Sequence, residues 1–423
     1  MHPGRWAKQG RAGNGRKDLD MAQETKTMVV VFMTILTGWI GFSLPFPIFS
    51  HLFLNPEHGL VSAAMPETTR TLLLGVTIAI YPLGQIIGSP LLGRWSDRYG
   101  RKRVLQYSLW ATVLGSGVLA VGIGWGSVPL VLLGRFLSGL GEGNLSIAQS
   151  IASDISTPQS KARNFAAIGI AVDLGFIVGP LLGGVLSDRS IMPWFSAVIP
   201  FWVATAFFIV NALAVPFFLS ETSKHGQSAL ERRRPIRATL VDPRLAPVYV
   251  FSFLTFWAIM IFFDFFAVYF VQVFRTPPAI LGVYTALISV PLIVSGLYVN
   301  RFVNRFGIRL TGLVAVVLMG AGIAWFTLPT QLLWLAVPII VICIGINFGQ
   351  TATAIMVSDA APAQEQGQAL GLYRANTVAA SGLSALAGGA LAGLSPLYPF
   401  YTAMLCAAAA AVVLLAARNR SGA

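Results

Sequence analysis

Arg135 and Glu142 lie seven residues apart in one apolar stretch, LGRFLSGLGEGN (133–144). Seven residues are about two helical turns, so the two side chains share a helix face. An arginine inside hydrocarbon is costly and by default faces a cavity or a partner. Asp173, Asp264 and Arg374 also interrupt apolar stretches. A carboxyl in a low dielectric resists ionisation, so its proton affinity changes when its site opens to water. A carboxyl beside an arginine can then exchange that partner for a proton. The proton-coupling candidates are Glu142, Arg135, Asp173 and Asp264, with Glu142 first because it shares a face with Arg135. Two structural pairs compete with this reading: Arg135 with Glu142, and Asp264 with Arg374, both in the second half of the chain.

Other chemistries find little support. His2, His51, His58 and His225 lie outside or at the ends of apolar runs and have no ligand spacing, and Cys343 and Cys406 sit inside such runs. Neither a metal site nor a disulfide framework is expected, and no cofactor is implied. GSGVLA (115–120) imitates a dinucleotide fingerprint but falls within an apolar run with no strand before it. No G-x-x-x-x-G-K-[ST] occurs, so no ATP-driven step is expected in this chain.

The elements that must position these residues follow from composition. The chain is 55% apolar and 11% charged, against about a quarter charged in soluble domains. Lipid must therefore solvate most of its surface. Spans of ~20 apolar residues are expected at 28–54, 71–92, 104–125, 128–152, 165–187 and 195–219. A second set is expected at 247–274, 279–299, 310–328, 332–357, 368–393 and 397–417. Alternating strand patterns are absent, which argues against a barrel.

Lys and Arg collect in the N-terminal tail, in 94–103, at 161–163, in 224–244, at 301–309 and at 418–420. Arg70, Arg189 and Arg275 fall on the opposite side. The positive-inside rule then places both termini in the cytoplasm, in a multi-pass inner-membrane protein. The net charge of +13 is read as topogenic, and nucleic acid is not an expected partner. GRWSDRYGRK (93–102) recurs as NRFVNRFGIR (300–309). Ser153-Asp154 recurs as Ser358-Asp359, and Gly183-Gly184 as Gly388-Gly389. The nearly constant spacing argues for a duplicated six-helix unit with a midplane site between the copies. The expected organisation is a tail (1–26), a first half (27–219), a linker (220–246), a second half (247–417) and a short C-terminal tail (418–423). The fold class is an all-α membrane protein with twelve transmembrane helices in two pseudo-symmetric halves.

Loop 93–105, GRWSDRYGRKRVL, resembles the signature loop of the major facilitator superfamily, G-x-L-A-D-R-x-G-R-K-x-x-L. Gly93, Asp97, Arg98, Gly100, Arg101, Lys102 and Leu105 match it, and Trp95 and Ser96 depart. The resemblance implies a gating role for Gly93, Asp97, Arg98, Gly100, Arg101 and Lys102, latching the halves on the cytoplasmic face. Arg135 resembles the family's arginine in the fourth helix. GFIVGPLLGG (175–184) resembles the G-x-x-x-G-P-x-x-G-G motif of the drug/proton antiporter branch, which includes tetracycline-type exporters. Its Gly175, Gly179, Pro180, Gly183 and Gly184 are expected to serve helix packing. That branch often carries an acid early in the first helix, where this chain has Gly38.

The resemblance further implies that helices 1, 4, 7 and 10 line a central cavity. Candidate substrate-binding residues are Trp39, Tyr81, Gln85, Glu142, Trp257, Phe263, Asp264, Asn347, Gln350 and Arg374. The seventh span is so aromatic on all sides that some of its rings are expected to face lipid. A monomer is expected, exporting a small amphipathic molecule in exchange for protons. Transport of a specific metabolite or siderophore, and a transporter-like sensor, remain as alternatives.

Overall fold

The structure, a computed structural model, describes residues 4–55, 60–62, 64–142, 144–157, 160–222, 242, 244–362 and 366–420. In the first half, α1 (Gly4–Ser43) and α2 (Phe46–Leu54) form one span interrupted before Pro45. Then follow α3 (Glu67–Tyr99), α4 (Arg101–Gly124), α5 (Val128–Gly141), α6 (Asn144–Ile155), α7 (Lys161–Ser187) and α8 (Ile199–Phe218). The second half holds α9 (Ala246–Phe274), α10 (Pro278–Phe306), α11 (Ile308–Phe326), α12 (Ala336–Ala360), α13 (Gln366–Ala392) and α14 (Tyr398–Arg420). The expected linker falls largely on residues 223–241, outside the described residues.

Ten helical segments among the described residues are long and apolar enough to cross a membrane. Two more complete the two sets of six. The span expected at 128–152 is divided into α5 and α6 at Glu142, where Gly139 and Gly141 weaken the helix. The eleventh, α13, is 27 residues long, but Gly, Ser, Asn and Arg374 dilute its hydropathy. It can afford that composition because it packs on α3, α9 and α14.

The halves meet through small residues. A Cβ placed on Gly75 of α3 would lie 2.7 Å from Gly389 Cα of α13. One on Gly184 of α7 would lie 2.9 Å from Gly282 Cα of α10. Backbones approach this closely only where neither residue has a side chain. Gln272 Nε2 donates to Glu67 Oε1 at 2.6 Å, and the Ala279 N–H donates to Asp188 Oδ2 at 3.2 Å, across the same end. Toward loop 93–105 the contact opens. A Cβ on Gly382 would meet Pro82 at 3.9 Å, and one on Gly371 or Gly93 would meet nothing within 4 Å. The halves are thus closed at the end remote from loop 93–105 and splayed apart toward it. Beyond the closed end lies a vestibule of about 720 Å³, lined in part by Ile48, His51, Asp188, Arg189 and Arg275.

The aromatic seventh span departs from expectation. Residues 261–270 of α9 are buried on every side, and none of its Phe, Trp or Tyr residues between 251 and 270 is exposed. The helix packs on α2, α12, α13 and α14, so protein takes the place expected for lipid.

Candidate functional site

The site begins with two helices in backbone contact. Gly84 of α3 packs on Gly139 and Leu140 of α5, and Gly139 packs on the Tyr81 carbonyl. This approach lays the Arg135 guanidinium over the Tyr81 ring at 4.3 Å and near the Phe49 ring at 5.4 Å. Arg135 is 4% exposed, and its Nε points to the Thr77 carbonyl at 3.5 Å. Its carboxyl neighbours are Glu142, from its own half, and Asp264, from α9 of the other half. Two acids from two halves therefore lie within electrostatic reach of one guanidinium, and neither forms an ion pair with it among the described residues. Tyr81 has Arg135, Glu142 and Arg374 as charged neighbours and hydrogen-bonds Gln85.

Glu142 occupies the C-cap of α5, where the helix breaks. Its carboxylate lies against α1: a Cβ on Gly38 would stand 3.0 Å from Glu142 Oε2. A cavity of about 20 Å³ lined by Arg135, Glu142, Tyr81, Thr112, Ser116 and Ser138 adjoins it, room for about one water. Asp264 is 7% exposed, and its Oδ2 has no hydrogen-bond partner among the described residues. A buried, unmatched carboxyl oxygen calls for a functional or chemical explanation.

Other candidates gather unevenly. Trp39 packs on Gly175 and contacts Phe176, whose ring stands 5.7 Å from Phe263. Phe42 joins Trp39, Phe46, Tyr81 and Phe176, making an aromatic layer that crosses between the halves. Trp257 stacks near Phe253, and its buried indole N–H lacks a partner among the described residues. Asp173 is half-buried on α7 and is not among the neighbours of Arg135 or Glu142. The Asp264–Arg374 pair does not form: the charged neighbour of Asp264 is Arg135, whereas the neighbours of Arg374 are Tyr373 and Tyr81. Asn347 is drawn away from the centre, donating to the Leu292 carbonyl at 3.0 Å. Gln350 is exposed on α12.

The charges of loop 93–105 are engaged within the first half. Arg101 bonds Asp97 at 2.8 Å and Asp154 at 3.2 Å, and donates to Ser96 Oγ at 3.0 Å. Glu221 accepts the Arg101 N–H at 2.8 Å and the Lys102 N–H at 3.3 Å, capping α4. Gly100, with φ +97°, leaves the space that the Glu221 carboxylate fills. Lys102 Nζ donates to the Pro216 carbonyl at 2.8 Å, while Arg98 lies over Tyr99. Gly93 remains open.

On α7 the glycine face is split between two tasks. Gly175, Gly179 and Gly183 pack on α1 at Trp39, Ser43 and Leu44, and Ser43 Oγ donates to the Gly175 carbonyl at 3.0 Å. Gly184, next to them, faces the other half. The Pro180 carbonyl also meets Gly282 there.

Residues 27–373 match the family model described as Major Facilitator Superfamily. The chain belongs to the Major Facilitator Superfamily. It is 27% identical over 214 residues to "Tetracycline resistance protein, class H" of Pasteurella multocida, covering 51% of this chain and 49% of that protein. It is 29% identical over 219 residues to "Major facilitator superfamily domain-containing protein 10" of Bos taurus, covering 48% and 45%. The matches thus span about half the length of these relatives. In fold it resembles the structure titled "human organic anion transporter MFSD10 (TETRAN)", with a TM-score of 0.68 at 19% identity, covering 92% of this chain and 99% of that one.

Several residues of this superfamily member are not legible in the sequence. Phe176, Phe42 and Phe49 look like ordinary lipid-facing or core rings until the helices are packed. Gly38 reads as a missing acid rather than as the space a neighbouring carboxylate occupies. Glu221 carries a faint signal, an acid directly after the sixth span in a basic chain. Among the described residues no His, Cys, Asp and Glu cluster could hold a metal ion.

Proposed function

We propose that this chain is a proton-coupled secondary transporter that exports a small amphipathic molecule across the inner membrane by alternating access. The observation that carries the reading is a buried Arg135 within electrostatic reach of Glu142 and Asp264, one acid from each half. A proton on either acid frees the guanidinium for the other, which ties protonation to how the halves sit. The aromatic layer of Trp39, Phe42, Phe176 and Phe263 offers apolar area to a flat substrate. Relatives named for tetracycline resistance support an amphipathic substrate and the outward direction. The charge bias of the loops supports termini in the cytoplasm, which makes the splayed end the cytoplasmic one. In the alternate state loop 93–105 is the latch that closes that end.

Proteoliposomes carrying a pH gradient test this with tetracycline and a panel of amphipathic dyes. Glu142→Gln is expected to abolish uphill accumulation while exchange at equal pH survives, and Asp264→Asn to lower it. Uphill accumulation at the normal level by Glu142→Gln contradicts the assignment.

A further inference from the structure

Arg374 sits about 12 Å along α13 from Gln366, at 1.5 Å per residue, well inside a span. Unlike Arg135 it is exposed, and Tyr81 of the other half is among its neighbours. Among the described residues no carboxylate pairs with it. Its electrostatic neighbours are two phenols, Tyr373 from its own half and Tyr81 from the other. Tyr373 is fixed by a hydrogen bond with Thr353 Oγ1 at 3.0 Å and by edge contact with Phe256 at 6.0 Å. Two phenols thus lie near the guanidinium, and no carboxylate among the described residues compensates it.

An uncompensated arginine at this depth is costly, and its planar fork of donors matches carboxylate, sulfonate or phosphate oxygens. The acids nearby do not answer for it. Glu142 and Asp264 lie in the field of Arg135 and are not among the charged neighbours of Arg374, and Asp173 has no charged neighbour that perturbs it. We infer that Arg374 is the anion-binding subsite of the central cavity, so that the substrate is an amphipathic anion, its charged group on Arg374 and its apolar body against Tyr373 and Phe256. This rests on the transporter reading above and adds the charge of the substrate to it.

The test uses the full chain purified into nanodiscs and matched aryl probes: naphthalene-2-sulfonate, the neutral naphthalene-2-sulfonamide and the cationic 2-naphthyltrimethylammonium. Affinity is read by thermal shift and by competition. The expected result is that wild type prefers the sulfonate to both other probes. Arg374→Gln should weaken sulfonate binding about tenfold to a hundredfold, in the range of a lost charge-assisted hydrogen bond, with the sulfonamide unchanged. Arg374→Lys, which retains the charge, should recover part of the preference and guards against a folding defect in the glutamine variant. Equal binding of the three probes by wild type, preference for the cation, or an undiminished sulfonate preference in a folded Arg374→Gln overturns the inference. Those outcomes together with a Glu142→Gln variant that has lost pH-driven transport would remove the anion site and leave the transporter reading intact.

Discussion

At Gly38 the absence of a side chain is what lets the Glu142 carboxylate rest against α1. A methyl group there would stand 3.0 Å and 3.3 Å from its two oxygens, closer than ordinary van der Waals contact. Glutamate can yield by a few tenths of an ångström, so Gly38→Ala should fold and reach the membrane in normal amount. Its carboxylate would nevertheless be displaced relative to Arg135. Gly38→Ala is therefore expected to keep substrate exchange within about twofold while reducing pH-driven accumulation severalfold. Parallel assays of exchange and accumulation check this, and equal effects on both would show general damage instead. The proximity of Arg135 and Glu142 is legible in the sequence because a spacing of two turns places them on one helix face. The contribution of Asp264 is not: it comes from another half and comes near Arg135 only once α9 is packed into the bundle against α2, α12, α13 and α14.

Two helix pairs carry the hinge between halves, and their small residues set its geometry. In the antiparallel register of α3 and α13, Gly75 faces Gly389 and Pro82 faces Gly382. Continued toward the loop end, that register places Gly93 opposite Gly371, both in open space here. Closure of the splayed end should bring them together. In a cysteine-free background, Gly93→Cys with Gly371→Cys is expected to cross-link in the closed state and to lock out transport until reduced. Cross-linking no faster than with a cysteine one helical turn away, at Ser89, would contradict the register. The opposite closure depends partly on Asp188, which accepts hydrogen bonds from the Ser190 N–H, the Ser190 hydroxyl and the Ala279 N–H. Burial pushes its carboxyl up, but these donors and nearby His51 outweigh that and hold it below the usual range. Its contribution is present above the ordinary aspartate pKa of about 3.9 and is lost only as pH falls through the lower, folded value. Labelling of Ala197→Cys in the vestibule by an impermeant maleimide should thus be flat between about pH 5 and 8 in this respect. Asp188→Asn should raise it at every pH. A labelling step near neutral pH that Asp188→Asn removes would assign the closure to a different protonation.

Over the whole molecule, what the sequence discloses and what it withholds divide along a physical line. Length, hydropathy and the repeat of 93–102 at 300–309 report on the bilayer and on duplication, both of which act on every residue. The twelve spans follow from them. Breaks at Pro45 and Glu142 are local and depend on a few residues, so span 128–152 reads as one helix when it is two. The placement of α9 is withheld for another reason. Its rings would suit lipid as well as protein, and only the packing of α2, α12, α13 and α14 around it buries 261–270. The inter-half charge set is a product of that same packing. The most direct test is the proton flux that accompanies substrate. Proteoliposomes with an entrapped pH dye and potassium–valinomycin to clamp the membrane potential would be given a tetracycline or dye gradient and no pH gradient. Wild type is expected to move protons opposite to the substrate, and Glu142→Gln to move substrate by exchange with no proton signal. Substrate movement by wild type with no proton flux, or an unchanged proton signal in Glu142→Gln, would contradict proton coupling through the shared arginine.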